Sequence, residues 1–271
     1  MWKKLNAHKR LPTALILIAA VVALVQWAPH WLLAAVIQFL ILGALWEFYG
    51  LARKKRLRPH VPAGGIAAVS LGLPYAVPAV PPGAAFLAAL TAVGIIYLFR
   101  ANTLERVMDF TSSAAVTLFG AAYLSLTLSH FLPLRREFGP WAVYFLLAAV
   151  SAGDTGAFLV GSLFGRHKMF PLASPKKTWE GAAGGLVFAV LGAMAARALF
   201  FPELSMFRAA GYGLAVHCFA QISDPLESLF KRAAGVKDSG RLFPGHGGLL
   251  DRVDSFIFSA PLFYYLMHFR P

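Results

Sequence analysis

Only twelve acidic residues are spread over this chain of 271, and four of them stand in two pairs three residues apart, Asp224 with Glu227 and Asp251 with Asp254. At that spacing each pair would share one helical face. Paired carboxylates are hard oxygen ligands. Mg²⁺ takes one or two of them at a time and completes its shell with substrate phosphates and water. A fifth acid, Asp154, lies in "AAVSAGDTGAFLVGSLFG", deep within an apolar run. An acid at that depth costs about 2.5–3.5 kcal/mol unless it finds a partner or water. Its small neighbours, Ser151, Gly153, Thr155, Gly156 and Gly161, allow either close helix packing or a wet cavity. A functional role for Asp154 is the expectation, set against packing alone.

Both pairs also have a purely structural reading. "SDPLE" reads as the start of a helix running to Gly235, with Asp224 as N-cap, Pro225 at N1 and Glu227 at N3. "DRVD" sets two acids at the beginning of the last apolar helix, where the helix dipole favours negative charge. Capping and metal ligation are compatible roles. Glu105, Asp109, Glu137 and Glu203 read as solvated loop or span-end acids, and Glu47, in "LWEFYGLARKK", as an interfacial acid at the end of an apolar segment. None of these five reads as a site.

Cations gather near the pairs: Lys176 and Lys177 in "SPKKTWEG", then Lys231, Arg232, Lys237, Arg241 and Arg252. "FPGHGG" adds Gly245, Gly247 and Gly248, whose freedom at positive φ lets successive N–H groups form an anion-binding nest. His246 within it reads as a ligand, a phosphate contact or a turn residue. His217 lies inside an apolar run and reads as a packed, hydrogen-bonded histidine. Cations, carboxylates and bare amides together describe a site for phosphate and metal. No Walker loop, HExxH or dinucleotide fingerprint is present.

The elements that must hold these groups are membrane helices. The chain is 58% hydrophobic and 14% charged, with a mean hydropathy of +0.64. Soluble domains carry about a quarter charged residues. Apolar segments long enough for a ~30 Å hydrocarbon core, about 20 residues each, recur along the chain. The expected fold is all-α and polytopic, a single membrane domain over 1–271 with N-terminal spans in 1–139 and a catalytic part in 140–271. Nine helices are expected, near 11–28, 30–51, 62–81, 83–99, 110–132, 140–163, 181–201, 207–223 and 254–269. The third and fourth are rich in Pro and Gly, which kink or break helices. The first apolar run is read as a retained span, because no small-x-small cleavage site follows it. With a cytosolic N-terminus, 20 of the 25 Lys and Arg fall on the cytosolic side, within 3–10, 53–58, 100–106, 166–177 and 231–252. The net charge of +13 follows from these basic loops, which sit against anionic headgroups; nucleic acid is not an expected partner. The lone Cys218 excludes an intramolecular disulfide.

From Ser228 to Asp254, "SLFKRAAGVKDSGRLFPGHGGLLDRVD" resembles, position for position, the pattern of the phosphatidate cytidylyltransferase family, the CDP-diacylglycerol synthases. "GDTGAFLVGSLFGRHK" and "SPKKTWEGAAGG" are similar to that family's middle segment, so the resemblance covers 150–256. The chain departs from the family in having Ser223 where Gly is usual and Pro225 where an apolar residue is common. The resemblance implies transfer of a cytidylyl group from CTP to phosphatidate with Mg²⁺ or another hard divalent cation, in a polytopic and dimeric protein. In a bacterium that means the inner membrane, with the site facing the cytosol. It further implies catalytic positions at Asp224, Lys237, Asp238, Asp251, Arg252 and Asp254, and metal at Asp224, Asp251 and Asp254 with Asp154 and Glu227 in support. Lys176, Lys177, Lys231, Arg232, Arg241 and the Gly245–His246–Gly247–Gly248 amides would hold the phosphates. The competing reading is a transporter or channel built around intramembrane Asp154.

Overall fold

The computed structural model describes residues 18–240 and 247–269. The helices in chain order are α1 (Ile18–Trp27), α2 (His30–Lys54), α3 (Val61–Ala76), α4 (Pro82–Arg100), α5 (Leu104–Met108), α6 (Phe110–Leu128), α7 (Phe131–Phe138) and α8 (Pro140–Phe164), followed by α9 (Trp179–Phe200), α10 (Met206–Ala233) and α11 (Leu250–His268). Between α8 and α9 lies an antiparallel hairpin of β1 (Lys168–Phe170) and β2 (Ser174–Thr178), with Lys168 opposite Thr178 and Phe170 opposite Ser174. Among the described residues the fold is all-α apart from this hairpin, which sequence patterning does not anticipate.

Each expected apolar segment contains a helix among the described residues, and five helical segments are long and apolar enough to cross a membrane: α2, α4, the α6–α7 run, α8 and α9. The described part of α1 is short, and α3 spans 16 residues, about 24 Å at 1.5 Å per residue. The prolines of "VPAVPP" end α3 at Ala76, five residues before the expected boundary, and Pro82 opens α4 at its first position. α10 and α11 carry on their own length the charges that the site uses.

The expected helix start at "SDPLE" is not observed. α10 runs unbroken from Met206 to Ala233 with Pro225 in its interior, so Asp224 is a mid-helix residue and not an N-cap. The local signal matches a true cap, but Pro225 and Ser223 are buried against neighbouring elements. That packing offsets the roughly 3 kcal/mol an interior proline costs.

Two apolar cores hold the bundle. One is built from α2, α3, α4 and α6 around Ile41, Tyr49, Ala67 and Leu124. The other is built from α8, α9 and α10 around Phe145, Leu146, Ala193 and Val216. α11 belongs to both, giving Leu250 and Ile257 to the first and Phe263 and Met267 to the second. α8 and α9 approach each other closely. A Cβ on Gly161 would lie 3.3 Å from the Gly181 Cα, and one on Gly184 would overlap Val160, so the small residues of "GDTGAFLVG" serve close packing there.

Contacts gather the functional segments at one end of the bundle. Arg58 lies 2.5 Å from Glu105 and 3.5 Å from Asp109, tying the α2–α3 connection to α5 and holding the Glu105 carboxyl below its ordinary range. Arg232 reaches the Ala173 carbonyl in the hairpin turn at 3.4 Å. Ser239 bonds Glu47 near the end of α2.

Candidate active site

At that end, α8, α10, α11, the start of α9 and strand β2 enclose a cavity of about 560 Å³. Four carboxylates line it: Asp154 from α8, Asp224 from α10, and Asp251 and Asp254 from α11. Lys176 and Lys177 of β2 face them, and Gln221 and Ser255 complete the polar wall.

The hairpin is what brings the lysines there. Thr178 caps α9 by accepting from Gly181 N at 3.1 Å. In the same first turn, Glu180 accepts from the Arg166 N–H at 3.1 Å and from His167. The strands are thereby fastened at their open end to the α9 N-terminus. From this strand Lys177 Nζ reaches Asp224 Oδ2 at 2.8 Å.

On α11 the two acids sit one turn apart, as their spacing predicts, yet their surroundings differ. Asp251 is held on both oxygens: Oδ1 accepts from Lys231 Nζ at 2.7 Å, and Oδ2 accepts from Gly248 N at 2.7 Å and Ser239 N at 3.1 Å. The Gly248 contact ties down the amide just before the helix, so Asp251 also serves the helix start, as the dipole reading expects. Gly247, at φ +80, makes the turn that leads into it. Asp254 Oδ1 accepts from its neighbour's amide, Ser255 N, at 2.7 Å. The Ser255 hydroxyl lies 3.4 Å from both Asp254 Oδ1 and Asp154 Oδ2, linking α11 to α8. Ser223 donates its hydroxyl proton to the Asp254 carbonyl and clamps α10 to α11.

The other expected pair divides. Asp224 lines the cavity, whereas Glu227, one turn on, is fully buried behind it and ion-paired with Lys231. Lys231 therefore joins Glu227 to Asp251. Lys231 thus contacts the carboxylate wall from behind.

Of the remaining expected residues, Arg232 bonds the Ala173 and Val236 carbonyls and ties the end of α10 to the hairpin. Lys237, Asp238 and Arg252 are exposed and stand outside the residues lining the cavity. Gly247 and Gly248 border it through Asp251. Arg241, Gly245 and His246 lie outside the described residues. His217 is packed as expected, fully buried between Gly153 and Gly185, but neither ring nitrogen has a hydrogen-bond partner. Glu47 departs from its expected interfacial place: it is buried and accepts from Ser239 Oγ and Leu250 N, each at 2.9 Å.

The donor set suits a hard cation, since the cavity offers carboxylate and hydroxyl oxygens with neither His nor Cys on its wall. Among the described residues no three acidic, His or Cys side chains converge to cage a metal unaided. One or two carboxylates together with substrate phosphates is the coordination such a wall can supply.

The described residues thus form a polytopic helical bundle with a carboxylate- and lysine-lined cavity at one end. The chain belongs to the cytidylyltransferase family, whose model matches residues 8–270, and it is an integral membrane protein. It is 42% identical over 151 residues to a phosphatidate cytidylyltransferase of Staphylococcus aureus, covering 55% of this chain and 57% of that protein. It is 40% identical to the proteins of the same name from Staphylococcus epidermidis, over 149 residues, and Staphylococcus haemolyticus, over 151, with the same coverage. The matched stretch thus spans a little over half the length of these relatives, 57%.

Proposed function

We propose that the protein transfers the cytidylyl group of CTP to phosphatidate, giving CDP-diacylglycerol and pyrophosphate. The observation that carries this reading is the cavity in which Asp154, Asp224, Asp251 and Asp254 face Lys176 and Lys177. The relatives' name, phosphatidate cytidylyltransferase, supplies the acceptor and the group transferred, and family membership weighs against the transporter alternative.

In this reading a phosphate oxygen of phosphatidate attacks the α-phosphorus of CTP. The new P–O–P linkage forms as the bond to the β-phosphate oxygen breaks, and pyrophosphate leaves with the bonding electrons. The nucleophile is already anionic, so no strong general base is needed. The task is to bring two anions together and stabilise charge on the α-phosphoryl group and the leaving group. Lys176 and Lys177 supply positive charge on one wall. Asp224 and Asp254, with Asp154 and Asp251 beside them, would hold Mg²⁺ on the other, and the ion would supply Lewis-acid stabilisation of phosphoryl charge. Lys177 has a second task. Paired with Asp224, it would neutralise that acid while substrate is absent. Arg232, Lys237, Arg241, Arg252 and the Gly245–Gly248 amides would serve the triphosphate.

We further infer nine spans with a cytosolic N-terminus, as the bias of Lys and Arg supports, and a homodimer in the inner membrane if the source is bacterial. A site at helix ends facing the cytosol would meet water-soluble CTP while the acyl chains of phosphatidate stay in the bilayer. Purified protein in detergent, given CTP, phosphatidate and Mg²⁺, should form a CDP-lipid. No product across several detergents and divalent metals would refute the assignment.

A further inference from the structure

Glu47 belongs to α2, more than a hundred residues before the first residue of the cavity, and nothing in its own segment marks it as functional. It is nevertheless buried, at 9% relative exposure, and it meets the functional strip at Ser239 and at Leu250. Its Oε2 accepts from Ser239 Oγ at 2.9 Å and from Leu250 N at 2.9 Å, so one oxygen takes hold of the strip at its beginning and at its end. The Ser239 hydroxyl also lies 3.0 Å from Asp251 Oδ2. With one proton it serves one of the two carboxyl groups at a time. Ser239 N and Gly248 N hold that same Asp251 oxygen.

Two glycines of the strip are explained by this side chain. A Cβ built on Gly240 would run into the Glu47 carboxyl, and one on Gly248 would meet both Glu47 and Ser239. The backbone comes this close because no side chain intervenes. A buried carboxyl group is costly unless its hydrogen bonds are made, and here its partners are backbone and hydroxyl groups of the segment that carries Asp251 and Asp254.

We propose that Glu47 is a positioning residue for this site: from α2 it pins both ends of the strip between Ser239 and Leu250 and, through Ser239, fixes the Asp251 carboxyl. The proposal rests on the metal-dependent reading of the cavity for its consequence, though not for its geometry. Groups that orient a metal-binding residue from behind change metal affinity about 10–100-fold when removed.

The test uses the purified full chain and its Glu47→Ala, Glu47→Gln and Ser239→Ala variants, with Mn²⁺ as probe. Free Mn²⁺ is titrated by electron paramagnetic resonance, amide hydrogen exchange is followed over residues 247–256, and thermal unfolding is recorded. Glu47→Ala should weaken Mn²⁺ binding roughly 10–100-fold and speed exchange at Leu250 without a matching fall in unfolding temperature. Ser239→Ala should weaken Mn²⁺ similarly, and Glu47→Gln, which keeps one acceptor oxygen, should fall between. Wild-type affinity and exchange in Glu47→Ala, or an affinity loss that merely tracks unfolded protein, would overturn the proposal. If Glu47→Ala does not fold, Gly240→Ala probes the same tie by displacing the carboxyl group, and an unchanged affinity and exchange there would overturn it equally. Failure of the unsubstituted protein to bind Mn²⁺ would instead defeat the metal reading, with hydrogen exchange alone then deciding whether Glu47 anchors the strip.

Discussion

Lys177 Nζ stands 2.8 Å from Asp224 Oδ2, joining the hairpin to the middle of α10 across the cavity. The pair is partly exposed, so it contributes little to stability as an ion pair. In the proposed mechanism its importance is positional, because it sets a cation assigned to the substrate directly against an acid assigned to the metal. Lys177→Ala and Asp224→Asn should each lower turnover at least about 100-fold, the scale seen when one preorganised electrostatic group is lost. Circular dichroism and unfolding temperature should stay near those of the parent. Near-normal turnover in Asp224→Asn would remove that residue from the metal wall.

Behind the cavity, Glu227 is fully buried and Lys231 is its ion-pair partner. Lys231→Met should therefore destabilise the protein by about 3–5 kcal/mol, since it leaves a buried acid unpaired. Lys231→Met combined with Glu227→Gln should recover much of that stability. Activity should stay low in both, because Asp251 has lost the group that holds its Oδ1. Equal stability of the single and double variants, read from thermal unfolding, would contradict the pairing.

The α8–α9 contact can be tested through its glycines. A methyl group at Gly184 would overlap Val160, so Gly184→Ala should cost about 1–3 kcal/mol by overpacking. Gly211 is exposed on α10 with open space where a Cβ would go. Gly211→Ala should be neutral or stabilising, by up to about 1 kcal/mol. The reverse order of unfolding temperatures would contradict the packing described.

Orientation has its own measurement. A cysteine introduced in the α2–α3 connection at Arg56, or in the hairpin at Leu172, should react with a membrane-impermeant maleimide only after cells are opened, in a Cys218→Ser background. Labelling of intact cells at either position would reverse the proposed topology.

Asp154, Asp224, Asp251 and Asp254 were legible in the sequence because charge is scarce in an apolar chain, and acids spaced by one helical turn stand out against it. Lys176 and Lys177 were legible as nearby cations, but the hairpin that presents them was not, since three- and five-residue strands leave almost no periodic signal. "SDPLE" misled for a different reason. Its local signal is that of a helix start, and only tertiary burial of Ser223 and Pro225 carries α10 through it. Glu47 was out of reach because its partners, Ser239 and Leu250, lie 192 and 203 residues further along the chain.

The most direct measurement of the central claim follows two labels from CTP into lipid. Protein supplied with phosphatidate, Mg²⁺ and CTP labelled at the α-phosphorus should yield labelled lipid extractable into organic solvent. CTP labelled at the γ-phosphorus should leave all its label in water-soluble pyrophosphate. Transfer of the γ label to lipid would mean phosphoryl and not cytidylyl transfer, and lipid unlabelled from either position would contradict the account outright.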